Sequence, residues 1–195
     1  MLVFALALLY PLLGLGTPVG KWSWDGGIPG STFSAVRVSL LLTGLALVID
    51  VALGTPVACY LARSRGGERA LWEGVILVSV LLPPLALGIL LSTSLGPRTA
   101  LGSFLMGLGV PTSNSATAFV ITQVYVSIGY YIVAARAALA AVPRELQDTA
   151  ALLGATPRQV FTEITLPLSR LGLAAALSLA WLRALGEFGA VVVTA

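Results

Sequence analysis

Histidine is absent from the 195-residue chain. That excludes imidazole metal ligands and any reaction that runs on a histidine base. Cysteine occurs once, as Cys59 within an apolar run, so no intrachain disulfide can form. Charge is scarce as well. Asp, Glu, Lys and Arg make up 10% of the chain, and hydrophobic residues 57%. Ordinary soluble domains carry about 25% charged residues, so the composition is that of a membrane protein. Enzymatic signatures are missing too. Gly16-Thr17-Pro18-Val19-Gly20-Lys21 has the wrong spacing for a phosphate-binding loop, and Trp22 stands where that loop needs Ser or Thr. There is no G-x-S-x-G, no pair of catalytic aspartates and no metal-ligand cluster. No catalytic residue, metal site or cofactor is expected in this chain, and it does not read as an enzyme.

Basic residues exceed acidic ones by 3, but they gather in two connecting segments. Such clustering is an orientation signal, and a nucleic-acid partner has little support. Uncharged stretches cover 1–20, 38–49, 74–97, 99–135 and 171–182. Crossing the hydrocarbon core takes roughly 20 apolar residues. The fold class expected is therefore all-α, with about five membrane spans near 2–16, 34–61, 73–95, 116–138 and 170–195. The first is short, but it has no basic leading region and no cleavage site, so a signal peptide is the weaker reading. Gly102, Gly107, Gly109 and Pro111, followed by Thr112-Ser113-Asn114-Ser115, divide the long fourth stretch into an external loop and a helix. Little chain is left outside these runs, so 1–195 reads as one membrane domain.

Arg63, Arg65 and Arg69 lie between the second and third spans, and Arg136, Arg144, Arg158 and Arg170 lie in or beside the segment 143–168. Both regions should be cytoplasmic. The loops carrying Lys21 with Asp25, and Arg98, then face outward, and the amino terminus lies inside.

Segment 143–168 reads as a helix, a sharp turn and a short amphipathic helix. Pro143 suits a first helical turn, and Glu145 and Asp148 favour the same end of the dipole. Leu146, Ala150, Leu153 and Gly154 fall on one face. Gly154 can take the left-handed conformation that ends a helix. After Ala155, Thr156 caps a second helix, Pro157 takes its first position and Gln159 completes a capping box. Val160, Phe161 and Ile164 give it an apolar side, and Pro167 stops it. A rigid knob of this kind suits a groove on a soluble partner. The plainer alternative is an interfacial helix lying on lipid.

The string from Asp148 to Pro167 resembles the cytoplasmic EAA loop of ABC importer permeases. That pattern runs E-A-A, three residues, Gly, nine residues, Ile, one residue, Leu-Pro. Asp148, Thr149 and Ala150 stand for E-A-A, with two departures, and Gly154, Ile164, Leu166 and Pro167 match in register. Further strings are similar to the oxyanion permeases for molybdate, tungstate and sulfate. They are Leu53-Gly54-Thr55-Pro56 through Arg63, Leu82-Pro83-Pro84 with Gly88, and Arg183-Ala184-Leu185-Gly186-Glu187-Phe188-Gly189-Ala190. The resemblance implies a permease that couples a partner ATPase to anion translocation, with molybdate or tungstate ahead of sulfate. ATP and magnesium would belong to the ATPase. It also implies a second permease copy, an extracytoplasmic anion-binding protein and a cell-membrane location. In that family the loop is a coupling helix seated in the ATPase subunit. A sixth span would be expected after Ala195. Asp50 departs from the pattern, whose residue there is usually apolar. A non-transporting scaffold or channel is the reading from another class.

Arg183 and Glu187, four apart on a span, read either as a mutually neutralising pair or as part of the path. Asp50 is either a partner for Arg183 or a group facing a polar cavity. Pro83-Pro84 should break or kink the third span, at a transport site or as packing. Pro83, Pro84, Gly88, Arg183, Gly186, Glu187 and Gly189 are the candidates for the translocation path or for bundle structure. Gly172, Ala176 and Ala180 read as a close helix–helix contact.

Overall fold

The computed structural model describes residues 30–64, 66–187, 191 and 194. The chain divides into two compact units, 1–38 and 39–195. Of the first unit only the opening turns of α1 are described, and those side chains from Phe33 to Val38 are exposed. Apart from that start, every described element belongs to the second unit. The expected span 2–16 lies outside the described residues.

Every described element is helical. In chain order they are α1 (Gly30–Arg63), α2 (Gly67–Leu81), α3 (Pro84–Leu95), α4 (Ala100–Gly107) and α5 (Ala116–Ala140). Then come α6 (Arg144–Leu152), the single turn α7 (Pro157–Gln159), a π-helical turn (Val160–Thr165) and α8 (Leu166–Leu185). The expectation of an all-α membrane protein holds, but the count of about five spans does not. Three described helices are long and apolar enough to cross a membrane, namely Phe33–Arg63, Ala116–Ala140 and Pro157–Leu185, or four if α2 and α3 count as one broken span.

That break has a local cause. A residue before proline is driven out of the helical region. Leu82 (ψ 133°) precedes Pro83, and Pro83 (ψ 138°) precedes Pro84, so two consecutive residues are extended. Pro84 then opens α3 at its first position, where the missing N–H costs nothing. The two helices meet at a 105° bend.

A second correction concerns 100–107, expected as loop. Thr99 accepts a hydrogen bond from the Gly102 N–H (3.0 Å) and caps α4. Gly102 is needed for its small size, since a Cβ there would lie 2.1 Å from the Gly96 carbonyl oxygen. The true loop runs over 108–115, and Ser115 caps α5 through the Ala118 N–H (3.1 Å).

The core of the second unit is the contact of α5 with α8, joined by α1. Lipid tails are as apolar as leucine, so close packing rather than water exclusion holds such helices together. Small residues let this happen. Ala176 and Ala180 are fully buried beside Tyr131, Ile132, Ala135 and Leu139. At Gly172 a Cβ would fall 2.5 Å from that of Ala138, and at Gly54 it would meet the Tyr131 ring at 2.7 Å. Leu47, Ala58 and Leu61 bring α1 into the same cluster. The small-residue stripe is packing.

Candidate functional site

The segment 143–168 folds as a capped, two-part knob. Pro143 sits at the cap ahead of α6, one position earlier than a first-turn residue. At the other end Gly154 adopts φ +92°. Its N–H donates to the Ala151 carbonyl (3.0 Å), and the Ala155 N–H reaches back to the Ala150 carbonyl (3.0 Å). Together these bonds form a Schellman closure, which satisfies the last carbonyls of α6. The next helix starts at once. The Thr156 hydroxyl accepts from the Gln159 N–H, and Gln159 Oε1 accepts from the Thr156 N–H (2.9 Å). Both arms of the capping box are present, with Pro157 at the first helical position.

The end of the knob departs from expectation, because Pro167 does not stop the helix. A proline ring collides with the carbonyl four residues back in an ordinary α-helix. Here the preceding turn is widened: the Leu166 N–H bonds the Phe161 carbonyl, five residues away, and Pro167 lies within the first turn of α8. The second part of the knob and the last described span are therefore one helix, Pro157–Leu185. No proline rule of sequence reading separates a stop from this wide turn.

Orientation also differs from expectation. Phe161 turns inward against the core cluster, Val160 is buried, and Ile164 is half-buried. Leu152 and Leu153 instead stand out, at 88% and 84% exposure, with Leu146 beside them. Asp148, Thr156, Pro157 and Pro167 are exposed, Ala150 and Ala155 half-buried, and Leu166 partly exposed. Leu152 was missed because one residue on a short helix carries no periodic signal. Beneath the knob lies a cavity of about 330 Å³, walled by Cys59, Arg63, Val142, Arg144, Asp148 and Phe161 among others. Arg144 closes one side by donating to the Ala62 carbonyl (3.3 Å).

On the span α8, Arg183 Nη1 lies 2.5 Å from Glu187 Oε2, and the Glu187 side chain is almost wholly buried. The guanidinium also sits 5.4 Å from the Tyr130 ring centre, in a cation–π contact. Asp50 has a different partner: its Oδ2 lies 2.6 Å from the Ser127 hydroxyl. Pro83, Pro84 and Gly88 fall at the α2–α3 break, with Gly88 buried, and Gly186 caps α8. Gly189 lies outside the described residues. The second part of the knob opens the helix Pro157–Leu185, and the Arg183–Glu187 pair stands at and just beyond its other end, so the candidates form two groups rather than a single site.

Comparison with known proteins gives a consistent result. The profile of the family described as "binding-protein-dependent transport system inner membrane component" matches residues 54–195. The "Molybdenum transport system permease protein ModB" of Mycobacterium tuberculosis is 35% identical over 160 residues, 82% of this chain. This chain spans 61% of that relative's length. A "probable molybdenum ABC transporter permease protein" of Haloferax volcanii is 31% identical over 208 residues, covering 100% of this chain and 72% of its own length. The ModB protein of Escherichia coli K12 is 34% identical over 161 residues, with coverage of 82% and 70%.

Proposed function

We propose a function from the premise that this chain belongs to the family of binding-protein-dependent transport system inner membrane components: it is the permease subunit of an ATP-driven importer for molybdate or tungstate. The substrate class rests on relatives whose names specify molybdenum transport. The mechanism rests on one observation, the second part of the knob running without a break from Pro157 into a membrane-length helix.

In this reading, residues 143–168 form the docking element for a cytoplasmic ATPase, with Leu152 and Leu153 as its exposed apolar contacts. Closure of the ATPase would push on the knob. Because the helix continues through the π turn into α8, the push would reach Arg183 and Gly186 as movement of the span. Two copies would enclose the path, with an extracytoplasmic protein delivering the anion. Arg63, Arg69, Arg136 and Arg144 favour a cytoplasmic placement of the knob and an inside amino terminus.

Proteoliposomes holding this chain, its ATPase and its binding protein should accumulate labelled molybdate only with ATP. ATP-independent flux would identify a channel and sink the proposal. For topology, Ser64→Cys and Ser113→Cys are compared in a Cys59→Ala background. Ser113 is exposed, whereas Thr112 is buried and donates to the Leu95 carbonyl. An impermeant thiol reagent on intact cells should label position 113 and spare position 64, and the reverse pattern would invert the orientation.

A further inference from the structure

We propose that Asp50, Gln123 and Ser127 form an intramembrane binding site for a monovalent metal cation. Asp50 lies near the middle of the span Phe33–Arg63 and is fully buried, as is Ser127, while Gln123 is 2% exposed. Gln123 and Ser127 are one turn apart on α5, so they share a face. Asp50 is held against that face by the contact of its Oδ2 with Ser127 Oγ at 2.6 Å.

Acceptors outnumber donors at this place. Ser127 Oγ is also 2.7 Å from the Gln123 backbone carbonyl. A hydroxyl has one proton and cannot serve both oxygens fully at once. Asp50 Oδ1 and Gln123 Oε1 have no hydrogen-bond partner among the described residues, and no other buried side-chain oxygen or nitrogen there shares that condition.

The charge is unbalanced as well. An ionisable group inside a membrane needs a partner, and the described partner of Asp50 is a neutral serine. Arg183 on α8 is engaged by Glu187, just beyond that helix's end. Several oxygen acceptors around one carboxylate are the surroundings of an alkali ion, which takes many oxygen ligands at once. Divalent ions are held through more carboxylate charge than this, and no group of three or more His, Cys, Asp or Glu occurs among the described residues. One carboxylate with neutral oxygens matches a single positive charge.

The test needs no transport and no partner, so its failure is distinct from failure of the importer reading. The purified full chain is melted in detergent in choline chloride, then in lithium, sodium or potassium chloride at the same ionic strength and pH. The melting temperature of the unmodified protein should rise saturably with at least one alkali chloride. Asp50→Asn should lose that rise, and Gln123→Leu should shift it to higher salt. Should Asp50→Asn fail to fold, the unmodified protein and Gln123→Leu still decide. Equal melting in choline and all three alkali chlorides overturns the site. So does stability that follows pH without responding to cations, which would put a proton on Asp50 instead.

Discussion

Gly154 is the residue on which the knob turns. Its φ of +92° belongs to a region that L side chains enter at a cost of roughly 1–2 kcal/mol, and β-branched ones at more. A Cβ built there meets nothing within 4 Å, so the penalty of substitution is one of backbone alone. In the proposed importer, molybdate uptake should therefore fall in the order Gly, Asn, Ala, Val, since asparagine tolerates the left-handed conformation best. Gly154→Val should still insert in the membrane, and full uptake by that variant would rule out the turn as a requirement. The Arg183–Glu187 pair is expected to be structural first. Removing one partner of a buried pair costs about 3–5 kcal/mol. Arg183→Gln and Glu187→Gln should each lower the melting temperature in detergent, and the double variant should regain part of it. If neither single change lowers it, the pair acts elsewhere. The sequence carried both features plainly: a glycine between two capped helices, and opposite charges four apart. It did not carry the partner of Asp50, because Ser127 is 77 positions away and only packing of α1 on α5 brings them together.

The π turn is the element least visible in the residues. Val160-Phe161-Thr162-Glu163-Ile164-Thr165 has the composition of an ordinary helix, and Leu166-Pro167 reads as a stop. The wider turn resolves the conflict, because it moves the carbonyl that would strike the Pro167 ring. Thr162 is exposed and bonds only its own helix, through the Arg158 carbonyl. Thr162→Ala should consequently leave the turn and membrane insertion unchanged. Deleting Thr162 should return the turn to α geometry and rotate the knob by about 100° about the helix axis, one residue's worth at 3.6 per turn. Uncoupled ATPase activity with normal insertion is the expected result. Wild-type uptake by the deletion protein would mean that the angle between knob and span does not matter.

At the scale of the molecule, composition identified a membrane chain, the length of its apolar runs pointed to helices, and Pro83-Pro84 predicted a break. The number of crossing helices was not legible, because hydropathy records how apolar a stretch is and not whether it stays straight. The bend sets up a difference in height around the protein. With 25 residues, α5 is about 37 Å long at 1.5 Å per residue, more than the roughly 30 Å of hydrocarbon. Beside it α2 has 15 residues, or about 22 Å, and α3 leaves it at 105°. Lipid beside α2 and α3 must then compress or leave apolar tails facing a shorter wall, at fractions of a kcal/mol per Å of mismatch. Thicker bilayers should therefore favour whatever covers the shorter wall of α2 and α3, whether a neighbouring helix or a second subunit.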